Sequence, residues 1–241
     1  MKLKIIVPII SSIFNKSIAK EISNYNCQGI EFDIENLDYG TESIECEYDE
    51  ALVIPDILNK AKKAEEEGFD GVVVDCFGDP GVRAAREVLN IPVVGGFEPS
   101  MLLGAGLGDR LGIVTVLPTV LPMLEGAAKR IGLDSKVVCF RYVDIPVLDL
   151  GNISKLEDAL YAQSIEAIEK DNAHVIILGC TGMMGMGKKL HNRLIEESYD
   201  VPVIDPFFAA IKLIEVYVAM DLKHSRRTYM KPRDKARKWW K

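Results

Sequence analysis

Two kinds of apolar spacing alternate from one end of the chain to the other. Short unbroken runs of apolar, largely β-branched residues give way to longer stretches in which apolar positions return every three or four residues. Unbroken runs suit strands buried on both faces of a parallel sheet, and the longer spacing suits amphipathic helices. Strands are expected over 3–7, 29–34, 71–75, 92–94, 111–116, 136–142, 175–178 and 201–204. Helices are expected over 14–24, 51–67, 82–89, 99–107, 119–131, 154–171, 188–197 and 206–222. Gly68 and Gly132 supply helix-end signals, and Ser154 to Glu157 has capping-box form. The acidic stretch up to Asp49 reads as a polar loop. Strand–helix alternation throughout predicts an α/β protein with parallel sheets covered by helices.

Two runs read as copies of one device. Gly71-Val72-Val73-Val74 leads into Asp75-Cys76-Phe77-Gly78-Asp79-Pro80-Gly81, and Val175-Ile176-Ile177-Leu178 leads into Gly179-Cys180-Thr181-Gly182-Met183. Each is followed by a helix-like segment and a second short apolar phrase, around Pro92 in one case and Pro202 in the other. The cysteines lie 104 residues apart and the prolines 110. Roughly four strands precede residue 97 and four follow it. The expectation is two similar halves, residues 1–96 plus 207–222 and residues 97–206, with 223–241 as a basic tail. Ligands of such folds sit at the carboxyl ends of the strands, where both cysteines fall. Halves facing each other across a pseudo-twofold axis would hold the two thiols across one cleft.

The bulk numbers narrow the reading. At 241 residues the chain can bury a sizeable core. The net charge of −7 is uneven: residues 223–241 hold nine Lys/Arg against Asp234, a balance of +8 that leaves −15 on the rest. An acidic body argues against nucleic-acid binding, and the tail reads as an extended segment lying on its own or a neighbouring subunit. No 18-residue apolar stretch exists to cross a membrane. Lys2 and Lys4 precede an apolar run, but Pro8, Ser11 and Ser12 interrupt it, so a buried first strand is expected rather than a signal peptide. Five cysteines without a C-x-x-C pair point to a reducing compartment, hence the cytoplasm. Cys27, Cys46 and Cys139 read as small core residues. His174, His191 and His224 show no metal-ligand spacing with the cysteines, so no metal is expected. Gly104 to Gly108 follows no strand and reads as a helix end, not a dinucleotide fingerprint. Met183, Met184 and Met186 read as packing.

Thiols serve as bases only as thiolates, and each cysteine here precedes a glycine-containing turn and a helix, whose N–H groups and positive dipole end are expected to favour the charged form. The N–H groups of Phe77-Gly78 and Thr181-Gly182 could meet a substrate oxygen. Asp75 is expected to point away from Cys76 if the strand reaches it, leaving Asp79 as the better polar candidate. Thr115 ends a strand and is a candidate to reach the cleft. A thiolate on one face of a carbon and a thiol on the other suit removal of a proton beside a carbonyl and its return to the opposite face, with no cofactor. The residues alone therefore predict a two-base racemase or epimerase.

At these same residues the sequence resembles the aspartate/glutamate/hydantoin racemase superfamily, most closely its hydantoin racemase branch, which includes allantoin racemases. The resemblance runs to about Leu222 and is most specific at Asp75 to Gly81, with support from Ile145 to Leu150, Leu178 to Met183 and Val201 to Asp205. It implies two flavodoxin-like halves, an active site between them, and Cys76 and Cys180 as the acid/base pair. It also implies a small-molecule substrate and a homo-oligomer. The family commonly has Asn-Pro-Asn-Thr after the first strand, where this chain has Val7-Pro8-Ile9-Ile10 and then Ser11. A less polar pocket wall is expected there, with Ser11 as its hydroxyl. Glu98-Pro99-Ser100 replaces Glu-Ala-Ser, and Phe207 replaces a small residue near the cleft. The leading expectation is racemisation of a 5-substituted hydantoin or related cyclic ureide. Its rivals are racemisation of an acidic amino acid, isomerisation of a small diacid, a non-catalytic binding protein, and a redox protein joining Cys76 to Cys180.

Overall fold

The computed structural model describes residues 1–24 and 29–238. Strands and helices alternate as β1 (Lys2–Val7), α1 (Asn15–Asn24), β2 (Glu31–Asn36), α2 (Glu47–Glu66), β3 (Gly71–Val74), α3 (Val82–Val88), β4 (Val93–Val94), α4 (Phe97–Leu107), β5 (Leu111–Thr115), α5 (Leu121–Ile131), β6 (Val137–Tyr142), α6 (Ile153–Glu169), β7 (Val175–Leu178), α7 (Met186–Glu196), β8 (Val203–Ile204) and α8 (Pro206–Ala219). The strands form two four-stranded sheets of the same order, β2-β1-β3-β4 and β6-β5-β7-β8. Every pairing is parallel. Leu3 is paired with Gly71 and Leu111 with Val175, so β3 and β7 occupy equivalent places, 104 residues apart like the two cysteines.

Position in the sheet accounts for the spacing read from the sequence. The inner strands β3, β5 and β7 are buried throughout, and β1 is buried from Leu3 to Val7. Helices cover these strands, so their buried positions are apolar except for Lys4 on β1, which pairs with Asp33 and Glu35, and Thr115 at the end of β5, and every buried Val, Leu or Ile there contributes about 1.5–3 kcal/mol. The outer strands β2 and β6 are partly exposed and carry Glu31, Asp33, Glu35 and Arg141.

Two helices cross from one sheet to the other. α4 follows β4 of the first sheet yet packs on β7 and β8 of the second, while α8 follows β8 and packs on β3 and β4 of the first. The two also pack on each other. Gly104 allows this in α4, because a Cβ there would stand 3.1–3.4 Å from Ile177, Leu111 and Ile204.

Local details depart from expectation. β2 starts at Glu31, since Gly29 takes φ +79 in a turn. α2 starts at Glu47, inside the stretch read as loop, because Glu47, Asp49 and Glu50 occupy its first turn, where unpaired N–H groups attract carboxylates. α6 is capped by Asn152, whose side chain accepts from Lys155 N, and Ser154 lies inside the helix. Cys46 is the half-buried residue before α2 rather than core, and Cys139 is half-buried on β6 beside Arg141 and Asp171. Cys27 lies outside the described residues. Phe207 is wholly buried and edge-on to Phe208 at 5.2 Å, within the core rather than the cleft. The tail lies on its own chain. His224 Nε2 accepts from Val93 N, Arg226 donates to Arg86 O and Leu89 O, and the Tyr229 hydroxyl accepts from Arg86. Among the described residues no helix is long and apolar enough to cross a membrane, and no group of three or more His, Cys, Asp or Glu is gathered for a metal ion.

Candidate active site

Each candidate thiol stands just beyond an inner strand. β3 ends at Val74, and Cys76 N turns back to Val74 O at 2.8 Å, swinging the chain out of the sheet. Gly96 N, at the head of α4, donates to Cys76 O at 3.1 Å. Cys180 is extended and opens a tight helical turn over Thr181–Met183, with Met183 N on Cys180 O at 3.1 Å. The Thr181 hydroxyl donates to the Asp75 main-chain oxygen at 3.1 Å, tying the two strand ends across the cleft.

Cys76 and Cys180 both line one pocket of about 50 Å³. A single water needs roughly 10–15 Å³, so the space suits a small compact ligand. Val7, Pro8 and Ile9 form one wall, Phe14 and Ile44 another, and Val147 and Met184 the side of the second half. The apolar phrase after β1 therefore does face the pocket, except Ile10, which is exposed. Thr181 and Gly182 line it too, and so does Asp75. No Lys, Arg or His is among these residues.

The remaining candidates sit elsewhere. Gly78 directs its N–H at the Cys76 sulfur but opens on a separate cavity of about 220 Å³ bounded by Glu50 and Arg130. Phe77 is buried and edge-on to Phe97 at 5.1 Å. Asp79, at φ +54, turns away from the thiols, and its carboxyl accepts from Phe97 N at 2.8 Å and Glu98 N at 3.0 Å, capping α4. Gly95 permits that cap, since a Cβ there would stand 2.2 Å from Asp79 Oδ1. Thr115 is fully buried, and its hydroxyl donates to Gly179 O at 2.8 Å, which locks the end of β7. Ser11 Oγ accepts from Ile13 N at 3.4 Å, and Ser11 is not a pocket residue. The structure thus gathers Cys76, Cys180, Thr181 and Gly182, sets Gly78 behind them, and leaves Ser11, Phe77, Asp79 and Thr115 outside.

Asp75 is the polar pocket residue that strand alternation misplaces. Alternation would turn it from Cys76 only if the strand continued, and the turn at Val74 ends it one residue early. The signal was a lone carboxylate closing an apolar strand beside a candidate thiol. Glu45 and Glu50 approach from the α2 side. Glu45 Oε1 accepts from Val147 N at 2.7 Å, and Glu50 lies near Gly78.

The electrostatics reverse one expectation. Burial pushes the Cys76 thiol well above its ordinary range, opposed by the Gly78 N–H and reinforced by Cys180, Glu50 and Asp75. Burial likewise pushes Cys180 up to about 12, opposed by N–H groups of Gly182 and Met183 and reinforced by Asp75 and Glu45. Both thiols rest neutral at pH 7. α3 and α7 begin at Val82 and Met186, six residues beyond each cysteine, and a helix end acts only within about its first turn. Burial also raises Asp75 to about 7, opposed by the nearby Thr181 hydroxyl and with the Asp205 charge adding.

A family model described as Asp/Glu/Hydantoin racemase matches residues 6–214. The hydantoin racemase of Pseudomonas sp. (strain NS671) is 37% identical over 237 residues, covering 98% of this chain and 93% of that one. The allantoin racemase of Klebsiella pneumoniae superposes with a TM-score of 0.90 at 31% identity, covering 99% of this chain and 96% of that one. That of Pseudomonas fluorescens gives 0.91 at 28% identity, with 99% and 100% covered.

Proposed function

The chain belongs to the Asp/Glu/hydantoin racemase family, and from that premise we propose that it inverts a carbon beside a carbonyl by two-base proton transfer between Cys76 and Cys180. The substrate is a 5-substituted hydantoin or a related cyclic ureide. One observation carries the reading: two thiols at equivalent strand ends, 104 residues apart, line one small pocket. One sulfur, as thiolate, takes the C5 proton and the carbanion's electron pair moves onto the adjacent carbonyl oxygen. The other sulfur, as thiol, returns a proton to the opposite face. The first thiolate has then become a thiol and the second thiol a thiolate, so the next turnover runs from the other face.

The C5 proton of a hydantoin lies between a carbonyl and an amide nitrogen, and the ring carries no carboxylate. A neutral ring suits a pocket without a cation, whereas a diacid or free amino acid would bring charges with no partner there. Because both thiols rest protonated, kcat/KM should climb about tenfold per pH unit from acid towards neutral pH, as the thiolate fraction does.

The test is polarimetry on single enantiomers of 5-substituted hydantoins in D₂O, with deuterium read by NMR, for the unaltered protein and for Cys76→Ala and Cys180→Ala. Loss of rotation with deuterium entering C5, abolished as racemisation in both variants, is expected. Exchange without racemisation in one variant assigns its surviving thiol to one face. Undiminished racemisation in either variant would sink the two-thiol mechanism.

A further inference from the structure

The mechanism above uses both sulfurs and leaves one pocket group without a task. Asp75 is 7% exposed, lines the same pocket as Cys76 and Cys180, and has a side-chain Oδ1 with no hydrogen-bond partner among the described residues. Its surroundings are specific. The Thr181 hydroxyl lies beside the carboxyl, but its one proton is given to the Asp75 main-chain oxygen at 3.1 Å. Among the described residues, the charged or titratable groups facing the carboxyl are the two thiols and Asp205, whose own carboxyl is occupied by Gly185 N and Phe207 N. Among the described residues no Lys, Arg or His lines the pocket with it, and most of the wall is apolar. A buried carboxyl in such a place is more stable neutral, and a neutral carboxyl both donates and accepts.

The second half has no counterpart. Gly179 stands 104 residues on, and a Cβ there would lie 2.5 Å from Thr115 Cβ. The pocket is therefore asymmetric where its thiols are symmetric, with one carboxyl on one side of the pair.

We propose that Asp75, as the neutral acid, pairs two-pointed with the cis-amide edge of a cyclic substrate, donating its O–H to the carbonyl oxygen beside the stereocentre and accepting from the adjacent ring N–H. The inference rests on the racemase reading and names what that site recognises. A ring amide holds its N–H and C=O on one side, matching the O–H and C=O of a carboxylic acid. In a hydantoin this edge is N3–H and C4=O, and C4 is bonded to the C5 that is inverted. When the C5–H bond breaks, its electron pair moves to O4, and the hydrogen bond from Asp75 strengthens against the growing charge. The proton stays on Asp75, and the two thiols alone exchange protons with carbon. Open-chain amino acids lack the cis edge.

The test compares unaltered protein with Asp75→Asn on a 5-substituted hydantoin and on its N3-methyl derivative, across pH. Asn keeps one donor and one acceptor in the same shape but is a far weaker acid, so KM should stay within about threefold while kcat falls by roughly 10- to 100-fold. In the unaltered protein the rise of kcat/KM with pH should flatten above about 7, where Asp75 releases its proton. In Asp75→Asn it should go on rising. The N3-methyl substrate, unable to present the N–H, should lose at least about 100-fold in kcat/KM with the unaltered protein, an arm independent of whether the variant folds. If Asp75→Asn keeps both kcat and the flattening, or the N3-methyl substrate is inverted as fast as its parent, the pairing is wrong and the two-thiol reading stands. If the unaltered protein inverts no hydantoin, both fall together.

Discussion

Asp75 and Asp79 are four residues apart and have opposite fates, each with a measurable consequence. Asp79 stabilises structure. Asp79→Ala would leave Phe97 N and Glu98 N without their acceptor and place alanine at a left-handed φ, so unfolding free energy should drop by about 1–3 kcal/mol in urea melts, with Asp79→Asn losing less. Asp75 acts in the other direction. Folded, it holds its proton to about pH 7, while its ordinary value is 3.8. The native state therefore binds more protons than the unfolded one between those limits, and stability falls as pH rises through that window, levelling off above about 7. Asp75→Asn should thus gain stability over the parent on moving from pH 5 to pH 8, by an amount on the order of a few kcal/mol at most. An equal offset at both pH values would show the carboxyl to be ionised in the folded state.

At the scale of elements, each cysteine loop is joined to the head of a crossing helix through a carboxylate, from opposite ends. In the first half Asp79 of the loop caps α4. In the second, Asp205 at the head of α8 accepts from Gly185 in the loop at 3.0 Å. The tail reinforces the first of these joints. Tyr229 meets Arg86, which pairs with Glu98 at 2.6 Å and donates to Val93 O. His224 is held neutral, burial pushing it down to about 4, and this lets it accept from Val93 N. Truncation after Leu222 should speed hydrogen exchange at Val93 and lower Tm by several degrees, since about 1 kcal/mol shifts a chain of this size by roughly 2–4 °C. Unchanged exchange and Tm would make the tail a solvated arm after all.

For the molecule as a whole, α4 and α8 each start at an edge strand of one sheet and cover the other, so the chain passes twice between the sheets. Ile44 packs against all three core clusters and also lines the pocket, so the site and the joint between halves share side chains. Unfolding should be a single cooperative transition, with far-UV and near-UV signals coincident and calorimetric and van't Hoff enthalpies equal. Two resolved transitions would contradict this coupling.

Much of this was readable from the order of residues. Inner strands buried under helices must be predominantly apolar, with Lys4 and Thr115 as the buried polar exceptions, so β1, β3, β5 and β7, their number and their repeat at 104 residues follow from composition along the line. Cys76 and Cys180 follow too, because thiols ending matched strands of a parallel sheet fall where such folds hold ligands. The family resemblance was legible in the same residues. What the line of residues does not contain is direction beyond a strand's last hydrogen bond. Asp75 enters the pocket and Asp79 leaves it because the chain turns at Val74 and because the N–H groups of Phe97 and Glu98 wait behind it. The protonation state of the thiols also depended on the assembled fold: charge is governed by the burial and neighbours that packing creates, and here these outweigh the helix ends that local sequence suggested.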